Sequence, residues 1–96
     1  MTINITVLLK SKEEHTEKLK GLLENLVASS RQEPGCVQYD LHQDVQDSST
    51  FVFHEVWENK EALGIHNSQE YFKSFFAQAP DLLLEKPQII VTNKLA

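Results

Sequence analysis

The segment Thr50 to Trp57, TFVFHEVW, constrains the fold more than any other part of the chain. It alternates with period two, as a strand does: Phe51, Phe53, Glu55 and Trp57 point one way, and Val52, His54 and Val56 the other. Both faces therefore carry apolar side chains. One layer of helices covers one face of a sheet, so the other face needs a second cover. The sheet of a second copy supplies one, and the pattern points to a homodimer. At 96 residues the chain makes a single domain, residues 1–96. A domain of this size buries only about two-thirds of the surface its unfolded chain exposes, so its core is thin.

The remaining elements follow from spacing. Ile3, Ile5, Val7 and Leu9 alternate with Asn4, Thr6 and Leu8 in a first strand. Ser11 followed by Glu14 resembles a capping box. Leu19, Leu22, Leu23, Leu26 and Val27 then make one apolar stripe of a helix, with Lys18, Lys20, Glu24 and Asn25 on its wet side. Pro34-Gly35 stops that helix near Glu33. In the next strand Val37, Tyr39 and Leu41 share one face, and Gln38, Asp40 and His42 the other. QDVQDSST is a turn-rich connection. Lys60 to Asn67 reads as a short helix with Ala62 and His66 on one face. Gln69 to Ala79 reads as another, with an aromatic stripe of Tyr71, Phe72, Phe75 and Phe76, ended by Pro80. Leu82 to Leu84 would cover a sheet edge or a partner. Pro87 opens a last strand in which Ile89 and Val91 alternate with Gln88, Ile90 and Thr92. The order β-α-β-β-α-β is the ferredoxin-like α+β arrangement.

Composition excludes several classes of function. The net charge of -5 disfavours nucleic acid and anionic membrane surfaces, both of which need a basic face. One cysteine, Cys36, excludes an intrachain disulfide. The N-terminal TINITVLLK has no basic lead and no cleavage site, so it does not read as a signal peptide. No apolar run approaches the roughly 20 residues of a membrane span. A cytoplasmic enzyme or binding protein fits these properties.

The stretches EPGCVQYDLHQD and FVFHEVWENKEAL, followed by a histidine at 66, resemble the antibiotic-biosynthesis-monooxygenase domain family. The resemblance covers nearly the whole chain and is densest from Glu33 to Phe76. The combination is specific where no single piece of it is. It implies a ferredoxin-like fold paired by its sheets into a dimeric α+β barrel, in agreement with the two-faced strand. Members of the family include cofactor-free monooxygenases of aromatic polyketides or quinols, haem-degrading enzymes, and an isomerase of a phosphorylated signal. The resemblance thus fixes a fold more firmly than a reaction.

Glu55 and His66 are the candidate catalytic pair. Glu55 sits beside Trp57 on one strand face, and helical placement brings His66 over that face. Either group could take the proton of a bound phenol or enol, and burial or a neighbour would tune both. By resemblance, the electron-rich anion then reacts with O2 without cofactor or metal. Trp57 offers a flat wall for an aromatic substrate. Tyr39 faces that pocket or the subunit interface, and Phe53, Phe72 and Phe76 are further candidate lining residues. Glu55 could instead pair with His66 or a backbone donor as a structural link. His15, His42, His54 and His66 lack the short spacing of a metal motif. Cys36 has no nearby base and reads as a small buried residue.

The chain departs from parts of the family pattern. Haem-degrading relatives use a histidine on the later helix, where this chain reads EYFKSFFAQA, so haem degradation is disfavoured. Gln69-Glu70 stands where many relatives carry Pro-His. Three functions follow from these residues: a cofactor-independent monooxygenase of a small quinol or polyphenol, an isomerase or proton-transfer enzyme on a small carbonyl compound, and a non-catalytic small-ligand-binding protein. A phosphorylated substrate would need a basic pocket, for which Arg31 and Lys73 are the candidates.

Overall fold

The computed structural model describes residues 1–96. In chain order it contains β1 (Ile3–Lys10), a 3-10 turn (Glu13–His15), α1 (Thr16–Ser30), β2 (Cys36–Gln43), β3 (Thr50–Trp57), α2 (Lys60–Asn67), α3 (Glu70–Leu82) and β4 (Gln88–Thr92). The strands form one antiparallel sheet in the order β2-β3-β1-β4. This is the ferredoxin-like α+β fold, with α2 and α3 together occupying the place of the second helix. No helix is long and apolar enough to cross a membrane.

The alternation along β3 holds. Phe51, Phe53, Glu55 and Trp57 are buried, whereas Val52 and Val56 are half-buried and His54 is exposed. Register carries the same face across the sheet in rows. Tyr39 pairs with Glu55, Glu55 with Ile5, and Ile5 with Val91; Leu41, Phe53, Val7 and Ile89 make the adjacent row. The helices cover these rows. Leu19, Leu23, Leu26 and Val27 of α1 and Phe75, Ala79 and Leu82 of α3 complete the core.

Local structure departs from the sequence pattern at four places. Ser11 does not cap a helix. Its N–H donates to the Ser49 carbonyl at 2.8 Å, its hydroxyl lies 2.8 Å from that of Thr16, and it is fully buried. The chain passes instead through the 3-10 turn before α1 begins at Thr16. At the other end of α1 the regular helix stops at Ser30, and shorter turn bonds from Gln32 to Ser29 and Glu33 to Ser30 carry the chain to Glu33.

Val37 does not join the Tyr39 face. A bulge pairs Cys36 with Trp57 and Gln38 with Val56, so Val37 is the extra residue and is 57% exposed. Cys36 takes its place on the inner face. Pro80 does not end α3, which runs on to Leu82. Proline removes one N–H, but burial of Leu82 and Leu83 and the bond from the Leu83 N–H to the Ala79 carbonyl hold the last turn. Leu82 to Leu84 tie α3 to the end of β1, through bonds from Lys12 N–H to the Leu82 carbonyl and from Leu84 N–H to the Lys10 carbonyl.

One close approach sets the geometry of the site. A Cβ on Gly35 would lie 2.4 Å from the Cβ of Ala62, so the turn before β2 packs against α2 at a distance only glycine permits. We expect Gly35→Ala to lower stability by about 1–3 kcal/mol in a denaturant titration. Adding Ala62→Gly should recover part of the loss, since glycine inside a helix carries its own cost of about 1 kcal/mol. A double variant no more stable than Gly35→Ala would mean that this contact is not the cause.

Candidate functional site

The two inner rows of the sheet form the floor of a cavity of about 370 Å³. Tyr39, Glu55, Ile5 and Val91 lie along one side of the floor and Phe53, Val7 and Ile89 along the other. Leu63, His66 and Asn67 of α2 and Phe72 and Phe76 of α3 make the walls. Mostly apolar walls with a few converging polar groups are the ordinary form of a small-molecule site.

α2 is a helix of eight residues, and its start is fixed by the Asn59 side chain, which accepts the Ala62 N–H at 2.9 Å. Six residues into the helix, His66 turns its ring inward and is 1% exposed. Its ring lies over Trp57 with centroids 4.3 Å apart, and the edge of Phe72 closes on it at 4.9 Å. Nδ1 lies 2.7 Å from the Glu33 carboxylate, which also accepts the Tyr71 hydroxyl and, at 3.4 Å, the Gln69 amide. A carboxylate only accepts, so Nδ1 carries the proton and Nε2 the lone pair. Nε2 is buried and has no hydrogen-bond partner. Such an atom costs about 1–3 kcal/mol while it stays unpaired. Burial pushes the His66 pKa down, and the Glu33 carboxylate opposes that shift.

Glu55 is 7% exposed and accepts the Trp57 indole N–H at 2.9 Å. Burial raises its pKa, and the donors Trp57 and Tyr39 pull in the other direction. The site therefore holds two separate polar pairs: Glu55 does not bond His66, and each has its own partner. Both line the cavity, and both are pushed by burial toward their uncharged forms.

Of the residues anticipated from sequence, Glu55, His66, Tyr39, Phe53, Phe72 and Phe76 all line this cavity. Trp57 does not. It is fully buried, where it supports the imidazole and donates to Glu55. Tyr39 packs tilted on Phe53 and its row faces the cavity rather than the open side of the sheet. Arg31 donates to the Tyr39 carbonyl and to Asp40, Lys73 is exposed, and neither lines the cavity. Burial raises the Cys36 thiol pKa, as do the nearby carboxylates of Glu33 and Glu55, so the thiol is not activated. Spacing alone did not reveal Glu33 and Tyr71. The signal for Glu33 was a carboxylate next to a Pro-Gly turn that returns the chain to the sheet, and Tyr71 was hidden in an aromatic stripe.

Comparison with known proteins agrees with this architecture. The family model described as antibiotic biosynthesis monooxygenase matches residues 2–78. The chain is 38% identical over 88 residues to the uncharacterized protein sll1783 of Synechocystis, covering 92% of this chain but only 59% of that one. It is 34% identical over 85 residues to YcnE of Bacillus subtilis, covering 88% of this chain and 90% of YcnE. The crystal structure of PA3566 from Pseudomonas aeruginosa superposes with a TM-score of 0.93 at 37% identity, covering 99% of this chain and 95% of that one.

The direction of the Glu55 shift has a measurable consequence. Its pKa in the folded state lies above the ordinary 4.5, so the folded protein holds this proton longer than the unfolded chain does. Glu55 therefore lowers stability as pH rises from that value through the folded pKa. His66 has the opposite slope: its folded pKa lies below 6.5, and stability is lost as pH falls through that value. Glu55→Gln keeps an oxygen for Trp57 and removes the charge. We expect this variant to gain thermal stability over the parent chain as pH rises from 4.5 toward neutrality, and to gain none below about pH 4. A difference that does not change with pH would show that ionisation of Glu55 is not its source.

Proposed function

We propose, from the premise that this chain belongs to the antibiotic biosynthesis monooxygenase family, that it is a cofactor-independent monooxygenase of a small quinol or polyphenol. The observation that carries this reading is His66, a histidine lining an apolar cavity whose buried Nε2 has no hydrogen-bond partner. The relative YcnE, named as a candidate monooxygenase, is in keeping with it.

A planar phenol lies on the floor of the cavity between Phe53 and Phe72, with its hydroxyl at Nε2. His66 takes the phenolic proton, and Glu33 stabilises the imidazolium across Nδ1. The resulting phenolate is electron-rich and reduces O2, and a carbon–oxygen bond forms at a ring carbon conjugated with the phenolate oxygen. Loss of water from the ring hydroperoxide leaves a quinone. One oxygen atom stays in the product and the other leaves as water, and the substrate supplies all four electrons. In its protonated form, which burial favours, Glu55 holds a second hydroxyl and returns a proton to the departing oxygen. The cavity lining contains no lysine or arginine, which disfavours a phosphorylated substrate for the isomerase reading.

A second copy belongs in the same reading. Leu8, Val52 and Val56 on the side of the sheet away from the helices are half-buried, and Ile90 beside them is 41% exposed. Pairing of two sheets by this face would cover them. We expect a dimer in sedimentation and a shift toward monomer in Val52→Asp. A parent chain that stays monomeric at high concentration would remove the dimer.

Oxygen consumption with hydroquinones and naphthols, without added metal or flavin, tests the reaction. We expect uptake of one O2 per quinone formed and a loss of roughly 100-fold or more in kcat/KM for His66→Ala. Glu55→Gln should lower kcat as well. Because the His66 pKa is depressed, the acid limb of kcat/KM should fall below pH 6.5. Ligand binding without oxygen uptake would make the protein a binding module, and turnover without oxygen would make it an isomerase.

A further inference from the structure

We infer that Glu33, by fixing the tautomer of His66, makes the cavity selective for a ligand that donates a hydroxyl hydrogen and selective against its oxidised or alkylated counterpart. The inference rests on the reading of this cavity as the substrate site and adds what that site discriminates. The geometry begins outside the cavity, in the turn between α1 and β2. There Glu33 accepts from His66 Nδ1 at 2.7 Å, from Tyr71 and from Gln69. Tyr71 belongs to α3 and His66 to α2, so the carboxylate is held from both helices. With donors gathered on Glu33, the proton of a neutral imidazole stays on Nδ1. Nε2 then has one role open to it, that of acceptor.

That atom has no protein partner. A phenol completes it by donating its O–H. A quinone carbonyl or an aryl ether offers only lone pairs, leaves Nε2 unpaired and places an oxygen against it. The discrimination follows from leaving a buried polar atom unpaired, which a ligand lacking the donor cannot repair. The same asymmetry distinguishes the two ends of an oxidation. The reduced substrate carries the hydrogen that Nε2 accepts and the quinone has lost it, so the site releases what it produces. Gln69 and Tyr71 are positioning residues in this scheme, since they act on the ligand only through Glu33 and His66.

The experiment compares 1-naphthol with 1-methoxynaphthalene, which share a ring system and differ in the donor. Calorimetric titration under nitrogen excludes turnover, so its outcome does not depend on the oxygenase reaction. We expect 1-naphthol to bind roughly tenfold more tightly. His66→Phe, which keeps a flat ring on Trp57, should abolish the preference while retaining the ether. Glu33→Gln should narrow it, because an amide can donate to Nδ1 as well as accept from it. Imidazole nitrogen-15 shifts in the full-length protein give a second readout: Nδ1 protonated and Nε2 bare in the parent chain, a mixture in Glu33→Gln. Equal affinity for the two probes, retention of neither, or a parent His66 protonated on Nε2 would each overturn the inference. Donor selectivity without oxygen uptake would leave it standing and remove only the proposed reaction.

Discussion

The site depends on the register of β3 against its two neighbours. Side chains on a strand alternate between faces, so a slip of one residue would send Phe51, Phe53, Glu55 and Trp57 outward and bring Val52, His54 and Val56 against the helices. The pairing of Glu55 with both Tyr39 and Ile5 places a carboxyl at the centre of an apolar floor. The indole of Trp57, two residues along the same face, then meets that carboxyl and supports the imidazole above it. A single alternating strand thus provides the hydrophobic core, a carboxyl group of the cavity and the platform for His66.

Placing two titratable groups in so thin a core works against stability, because burial disfavours their charged forms. Each is offset in its own way. Glu55 receives an indole donor, whereas His66 is held by a carboxylate that is itself held by Tyr71 and Gln69. The second arrangement draws on α2, α3 and the turn at Gly35, where the chain comes close enough to α2 for Glu33 to reach the ring. Tight packing of a glycine turn is therefore a condition of the site's geometry, although the turn lies outside the cavity.

The fold was largely legible in the sequence because periodicity encodes which face of an element is dry. The strands β1, β3 and β4 and the helix α2 follow directly from it. Periodicity cannot register a bulge, so it puts Val37 on the inner face, where the structure has Cys36. Nor does a proline rule weigh burial, and Leu82 and Leu83 carry α3 past Pro80. In the site, the residues that project from regular elements were recognisable, among them Glu55, His66 and Phe72. Glu33 was not, because its role arises from a contact 33 residues away in sequence, made in a turn where no period applies. Trp57 showed the converse: an aromatic residue beside a carboxylate suggests a substrate wall, but its complete burial makes it a support.

The two shifts of pKa in the cavity converge, and that convergence bears on the chemistry. Burial raises Glu55 from 4.5 and lowers His66 from 6.5, so the two groups approach one another in acidity. Burial favours the neutral form of each group. In their neutral forms the two groups offer one donor and one acceptor, the complement of an uncharged aromatic diol. Were the imidazole to take a proton, the Glu33 carboxylate, 2.7 Å from Nδ1, would balance the new charge. In the proposed reaction the imidazolium is thereby balanced by a carboxylate that need not move, and the phenolate is the one charge left in the cavity. In the proposed reaction a protonated Glu55 would give its proton to the oxygen leaving the ring without a second charge forming in the apolar space. A cavity with a lysine or arginine in its wall would instead favour an anion before any reaction began, and would lose the advantage of forming that anion only on proton transfer.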